Sequence, residues 1–404
     1  RANNAYGLTG SSPYTGTVLA DGVTPATFQN GFPAPIPITI PTNGIIPTNT
    51  PTLISQVYTQ IPKTYRNPYV ESWNVAVQQA LPGNMSFQLA YVANHGVHGS
   101  VSQNINLPST YGGGSASDPE YHCAGCPDNN GKGPYRTAAT NVYFLGFSSN
   151  FQSLQAQLIR RTYKGLSFTS GFTWAKGMGY ATGGDDNGSL LFYADFKRSY
   201  APNDFDRTLN FEQSFTYELP WGIGHSHLNS GIGAAVLGGW KISGVVSAVT
   251  GTPFTVATNG ANLNTPGTTQ TGDLTGAYSV SHGVGSKTTW FNPAAFSTPS
   301  GCTSTPCTNP GVGNTGRNEF RGPGFVQDNL SLFKSFKIFR ESSLTTGIQA
   351  TQLSNSPQFS NPTSNNCCSA TSFGQVTGTV GSGQGGVNSI GGGRSLQASA
   401  RGAF

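Results

Sequence analysis

The stretch Glu71-Ser72-Trp73-Asn74-Val75-Ala76-Val77-Gln78-Gln79-Ala80-Leu81-Pro82-Gly83-Asn84-Met85-Ser86-Phe87-Gln88-Leu89-Ala90-Tyr91 decides the fold class. Trp73, Val75, Val77 and Leu81 alternate with Ser72, Asn74, Ala76 and Gln78, a period of two that puts the sets on opposite faces of a strand. Pro82-Gly83-Asn84 punctuates the run, and Phe87, Leu89 and Tyr91 then alternate with Ser86, Gln88 and Ala90. The spacing predicts a β-hairpin with a tight turn.

The same pattern recurs on both sides of later turns. Leu154, Ala156 and Leu158 alternate with Ser153, Gln155 and Gln157; Lys164-Gly165 makes a turn; Leu166, Phe168, Phe172 and Trp174 alternate with Ser167, Thr169 and Thr173. Further strands are expected over Leu209 to Leu219, Trp240 to Val246, Gln327 to Ile338, Ser342 to Gln352 and Ser395 to Phe404. Residues 1 to 62 carry Pro13, Pro25, Pro33, Pro35, Pro37, Pro41, Pro47, Pro51 and Pro62, which suits an extended arm with at most one short strand near Leu53 to Tyr58. The expected organisation is an arm over 1–62 and a strand-built body over 63–404.

Composition agrees with an all-β chain. Gly and Pro supply 54 and 26 of the 404 residues, and only 9% are charged, against about 25% in a typical soluble domain. No apolar run approaches the ~18 residues of a spanning helix. The net charge of +5 is dispersed without a like-charge block, which argues against nucleic acid as a partner.

Long connections over 96–141, 177–205, 258–324 and 354–392 alternate with short turns. That asymmetry is the plan of an antiparallel up-and-down outer-membrane-type β-barrel, with tight periplasmic turns and long extracellular loops. In such a barrel Phe87, Leu89, Phe168, Phe172, Phe215 and Ile242 face lipid, while Gln88, Thr169, Ser214 and Ser243 face the lumen. Trp73, Tyr91, Trp174, Tyr217, Trp221 and Trp240 fall near strand ends, where interfacial aromatic girdles sit.

The motifs extend this reading. Asn67-Pro68-Tyr69-Val70-Glu71-Ser72-Trp73-Asn74, Gly171-Phe172-Thr173-Trp174-Ala175-Lys176, Asn203-Asp204-Phe205-Asp206-Arg207-Thr208, Glu218-Leu219-Pro220-Trp221-Gly222, Leu237-Gly238-Gly239-Trp240, Trp290-Phe291-Asn292-Pro293 and Phe320-Arg321-Gly322-Pro323-Gly324 occur in this order. The series resembles the C-terminal barrel portion of TonB-dependent-receptor-like outer-membrane proteins, the type with an N-terminal carboxypeptidase-regulatory-like domain. The resemblance covers nearly the whole chain after residue 60, and it does not include that family's regulatory-like domain, plug, energy-coupling segment or early strands. It implies uptake of a bulky nutrient such as a glycan, a peptide or a metal chelate. It also makes the terminal strand, which ends on Phe404, similar to the closing strand that outer-membrane assembly reads. The competing reading is a secreted or surface structural protein of barrel ancestry that builds an extracellular filament or coat, placing the chain at the cell surface instead of in the outer membrane.

Six cysteines lie in polar stretches, as Cys123 with Cys126, Cys302 with Cys307, and the neighbours Cys367 and Cys368. Close spacing in loops points to local disulfides in an oxidising compartment, with Cys367 and Cys368 either bridged to each other or bonded elsewhere. Zinc at His122, Cys123 and Cys126 is the competitor, without the second ligand pair a zinc ribbon has. His225 and His227 in a Gly-rich turn are candidate metal ligands. Asp185 and Asp186, like Asp128, resemble the start of calcium loops but lack the distal Glu. Asp204, Asp206 and Arg207 are expected in a solvated loop, and no nucleophile elbow or phosphate loop occurs, so neither an enzyme nor a cofactor is expected. The defensible strands number roughly ten, fewer than a plug-sized lumen needs. The expected partners are therefore outer-membrane lipid and either a missing N-terminal half of the barrel or identical chains.

Overall fold

The structure, a computed structural model, describes residues 58–60, 66–104, 140–182, 186–192, 195–222, 227, 230–258, 268–300, 311–339, 342–368, 370–380 and 393–403. Nine long strands form one antiparallel sheet: β1 Tyr69–Leu81, β2 Met85–Asn104, β3 Thr140–Tyr163, β4 Leu166–Gly179, β5 Leu209–Glu218, β6 Trp240–Val249, β7 Phe325–Phe339, β8 Ser342–Thr351 and β9 Ser395–Ala403. Each strand pairs with its sequence neighbour, so the order in space is the order in the chain. Among the described residues the sheet is not closed, because β1 pairs only with β2 and β9 only with β8.

Register follows from the turns. Lys164 (φ 51°) and Gly165 (φ 80°) make a two-residue loop between Tyr163 and Leu166. Two successive positive φ values match the right-handed strand twist. A side chain on Gly165 would run into the Glu218 carbonyl, so the neighbouring strand also demands glycine there. Once register is set, period two does the rest. Val77, Leu89, Ala156, Phe172, Phe211, Ala248 and Val326 occupy one cross-strand row on one face. Gln78, Gln88 and Gln157 lie opposite one another on the other face, as do Thr169, Ser214, Val245 and Asn329. The two sets read from the alternation therefore keep to opposite faces in register across the sheet.

Two ends can be distinguished. At the turn end lie Pro82–Asn84, Lys164-Gly165, the connection 219–239 and residues 340–341; at the loop end lie the connections 105–139, 180–208, 250–324 and 352–394. β2 and β3, at 20 and 24 residues, are about twice the length that spans a bilayer. The expected loop over 96–141 is thus shorter than anticipated, since β2 continues to Asn104 and β3 begins at Thr140. Beyond a bilayer both faces meet water, so the chain keeps pairing without apolar alternation, and the period-two signal disappears. A register irregularity at Gly96 to Ser100 marks the passage. Of the strand expected near Leu53 to Tyr58, the described part is Tyr58–Gln60, which pairs in parallel with Thr140–Val142; Leu53 to Val57 and the remainder of the arm fall outside the described residues.

The sheet has no apolar core of its own. Its buried hydrophobic residues are Ala90, Ala93, Val101, Ala175 and Ala350, among the described residues, whereas Val75, Val77, Leu89, Phe172 and Ile348 are 67%, 68%, 41%, 41% and 59% exposed. The packed core lies instead in the loop-end connections, where Phe254, Val256, Trp290, Phe291, Phe296, Phe320, Phe373 and Val376 bury one another. Rings meet edge to face, as in Phe291 with Phe373 at 5.3 Å and Phe296 with Phe320 at 5.3 Å. The connections 258–324 and 354–392 are thus not merely polar loops. Their aromatics are too widely spaced in sequence to show a period and converge only on folding.

One helix was not anticipated. α1, Gly231–Leu237, lies in the Gly-rich connection at the turn end. Ile232, Val236 and Leu237 are 84%, 56% and 43% exposed. The Lys334 ammonium donates to the carbonyls of Ala235 (2.9 Å), Val236 and Gly238 (3.2 Å), and Trp240 Nε1 donates to Val236 (2.9 Å). A cation on C-terminal helix carbonyls satisfies groups that have no partner inside the helix and meets the negative end of its dipole.

Candidate functional site

The loop end carries the features that can meet a ligand, and an arginine cluster holds them to the strands. Within Arg317-Asn318-Glu319-Phe320-Arg321, three of five residues are charged in a chain with 9% charge, a second trace of this site in the sequence beside Asp204, Asp206 and Arg207. Arg317 is fully buried; Nε donates to Ser199 O (2.9 Å), Nη2 to Gly179 O (2.7 Å) and Ala201 O (3.2 Å), and Nη1 to Asp204 Oδ1 (3.3 Å). Asn318 Nδ2 donates to Pro202 O (2.8 Å) and Asp204 Oδ1 (2.6 Å). Burial pulls the Arg317 guanidinium below its ordinary value, with Asp204 acting in the opposite direction.

A second clamp lies beside the first. Arg321 pairs with Asp206, which is buried and also accepts from the Gly177 amide at 2.6 Å. Arg207 Nη1 donates to Thr250 O at 2.6 Å and stacks over Phe325 at 5.1 Å, and burial lowers its pKa. Asp206 and Arg207 are therefore not in a solvated loop, since they tie the loop-end body to the ends of β4 and β6, whereas Asp204 remains exposed to water as expected. Arg198 adds bonds to Gly313 O (2.9 Å) and Thr315 O (3.1 Å) and stacks over Phe192 at 4.5 Å.

Two hollows result. One, of about 520 Å³, sits where the loop-end body overhangs the strands, between Tyr91, Leu154, Trp174, Lys176, Asn318 and Glu319. The other is an open groove of about 350 Å³ across β4 to β7 on the polar face, walled by Ser167, Thr169, Ser214, Thr216, Ser243 and Asn329. Its short hydroxyl and amide side chains can donate and accept hydrogen bonds, and Arg160 adds one cation to the lining.

The structure separates the remaining candidates. Trp73, Tyr91, Trp174 and Trp221 are 47%, 39%, 57% and 37% exposed. Tyr91 and Trp174 share the row Val75, Tyr91, Leu154, Trp174, Leu209 toward the loop end. Tyr217 and Trp240 lie at the turn end, and Trp221 bridges to His227. Asp186 begins a short strand paired at Ser100. Cys367 and Cys368 are bonded to each other, with Cys367 buried in the aromatic core. Cys123, Cys126, Cys302, Cys307, His225, Asp185 and Phe404 fall outside the described residues. No group of three or more His, Cys, Asp or Glu poised to hold a metal occurs among the described residues. Sequence reading missed Arg317 and Lys334, each distant in sequence from the carbonyls it satisfies.

Comparison with known proteins adds the following. No curated protein sequence matches the chain. Among solved structures it is similar to the outer membrane transporter YddB from Escherichia coli, at 10% identity and a TM-score of 0.44, over 86% of this chain and 34% of that one. It is also similar to a chain of the FpvAI–pyocin S2 complex (10% identity, TM-score 0.37, 83% and 26%) and to the FrpB iron transporter from Neisseria meningitidis (9%, 0.37, 86% and 33%). The chain spans about a third or less of the length of these structures. The family model described as the outer membrane beta barrel domain matches residues 1–397. With its exposed apolar face and its alternating strands, the chain belongs to the outer membrane beta barrel domain family and resides in the outer membrane.

Proposed function

We propose that this chain forms the C-terminal strands of a TonB-dependent-receptor-like barrel that takes up a bulky nutrient across the outer membrane. The observation that carries the reading is the division of labour between the two faces and the two ends. Large apolar side chains cover one face without burying one another, as a lipid boundary requires. The opposite face is lined by Ser, Thr, Gln and Asn, which suit a hydrated interior, and a packed body at the loop end, extracellular in such barrels, offers a surface on which a ligand can be received. On this reading the short turns face the periplasm, so the body lies outside the cell and α1 at the periplasmic boundary.

The test is uptake. Cells lacking the gene, and cells carrying it restored, are supplied with labelled oligosaccharides, peptides or ferric chelates. The expected result is loss of one class and its recovery on restoration. Unchanged uptake of all three, with antibody labelling of filaments or a coat outside the cell, would replace this reading with the structural-protein one.

A further inference from the structure

The sequence of α1, Gly231-Ile232-Gly233-Ala234-Ala235-Val236-Leu237, contains no polar side chain. A helix that is apolar all round belongs in a core or in a membrane. Yet Ala234 is the one residue of α1 that is buried, and Ile232 and Val236, which the helical period places on the side turned away from it, are 84% and 56% exposed.

The helix is held on one face of the sheet. Trp240 and Lys334 stand opposite each other on β6 and β7, in the same alternating set as Ile242, Leu332 and Phe336, which is the large apolar face. Both reach α1. The indole N–H donates to Val236, and the ammonium donates to Ala235, Val236 and Gly238 while lying over the rings of Trp240 and Phe336 at 5.0 and 5.1 Å. A free ammonium on a lipid-facing row is destabilising, but the three N–H groups of Lys334 have three carbonyls to meet. Glycines close the joint: a Cβ on Gly238 would come within 2.6 Å of Gly222 Cα, and one on Gly239 within 2.6 Å of the Ser335 carbonyl oxygen. α1 is thus a fixed ledge on the apolar face at the turn end, beside the exposed side chains of Phe336 and Trp221.

We propose that α1 is an in-plane membrane anchor, lying in the headgroup–acyl boundary of the leaflet at the turn end with Ile232, Val236 and Leu237 among phospholipid chains. Lys334 is its positioning residue, because the last carbonyls of a helix have no partner within the helix and cannot be left bare in lipid. Interfacial helices bury their apolar side about 5–10 Å into this boundary, and Trp side chains such as Trp221 and Trp240 favour the same level. A protein partner fits less well, since three side chains of one short helix fall far below the ~800 Å² that each side of a stable interface buries. The inference rests on the lipid placement of the apolar face under the proposed function and not on uptake, so a failed uptake assay leaves it standing.

The experiment is depth-resolved fluorescence quenching. The full-length protein, purified from outer membranes, is reconstituted into vesicles of phosphatidylethanolamine and phosphatidylglycerol with an aminonaphthalene amino acid at Ile232, Leu237, Phe172 or Ser214. Nitroxide lipids quench either near the headgroup or near the chain end, and iodide quenches from water. Phe172 reports on the apolar face of the sheet and Ser214 on the polar one. Ile232 and Leu237 should lose fluorescence mainly to the shallow nitroxide, Phe172 mainly to the deep one, and Ser214 to neither. In Lys334→Met the loss at Ile232 should pass from nitroxide to iodide, and unchanged nitroxide quenching there would overturn the positioning role of the lysine. Quenching of Ile232 and Leu237 by iodide alone, with Phe172 still responding to lipid, would put α1 in water and overturn the anchor while leaving the proposed function intact. Shielding of both α1 sites from nitroxide and iodide would mean that protein covers the helix, a second copy included, and would overturn it as well. Loss of the lipid response at Phe172 would remove the lipid face and the anchor together.

Discussion

Arg317 and Asp204 meet at 3.3 Å with unequal burial: the guanidinium side chain is wholly enclosed, whereas the carboxylate side chain is 42% exposed. The arginine is held mainly by the carbonyls of Gly179, Ser199 and Ala201, and the aspartate compensates its charge from the water side. This arrangement joins residues more than a hundred positions apart and fixes the loop-end body over β4.

Arg317→Ala should therefore cost more than Asp204→Ala. Removing the guanidinium leaves the carbonyls of Gly179, Ser199 and Ala201 without their donor, at about 1–3 kcal/mol for each one left unsatisfied, whereas Asp204→Ala leaves the carbonyl bonds intact and should cost about 1–2 kcal/mol. Limited proteolysis across residues 195–208 and 311–321 reads the difference. Equal protection in both variants would mean that the body is held by its aromatic core alone.

Leu89→Arg and Gln88→Arg test the two faces. Leu89 belongs to the apolar row and Gln88 to the polar one. Arg on the lipid face should cost about 2–4 kcal/mol near the midplane, and far less at the lumen position. Heat-modifiability of the membrane-assembled protein measures the folded fraction, and equal losses would contradict the orientation of the sheet.

Lys334→Met removes the ammonium that caps α1 and stacks over Trp240 at 5.0 Å. The α1 carbonyls then have no cation to bind, at a cost of about 1.5–3 kcal/mol. Amide exchange should accelerate over residues 231–240, and Trp240 fluorescence should shift, while β1 to β5 remain protected.

Tyr278 sits against Phe291, Phe296 and Phe320, its hydroxyl has no hydrogen-bond partner among the described residues, and burial raises its pKa above 10.0. The folded state thus holds the phenol proton more tightly than the unfolded chain does. Its share of stability is complete below pH 10 and falls as pH rises through the higher folded value. Tyr278→Phe removes that alkaline loss and, by deleting an unsatisfied hydroxyl, should be neutral or stabilising by about 1 kcal/mol. Thermal denaturation at neutral and alkaline pH separates the two effects.

Non-reducing peptide mapping should recover Cys367 and Cys368 as one oxidised peptide. Local bridges are also expected for Cys123 with Cys126 and for Cys302 with Cys307. Free thiols at all six would argue against an oxidising surroundings for these connections.

The sequence alone determined the strands, their turns and their faces. Alternation is a local property: Trp73 to Leu81 and Phe87 to Tyr91 carry their own period, Lys164-Gly165 carries its own turn, and the antiparallel order follows once neighbours in sequence become neighbours in space. Only the tertiary structure decided the rest. Phe254 and Phe373, more than a hundred residues apart, join Phe296 in a core only when their connections converge, and nothing in the flanking Gly, Ser and Thr announces it. Asp206 reads as a solvated loop residue until Arg321 arrives to bury it. Lys334 reads as a misplaced charge in an apolar row until the carbonyls of α1 come to rest above it. Period and turn chemistry are written in adjacent residues, whereas burial and charge pairing depend on which distant segments meet, and that is settled by packing.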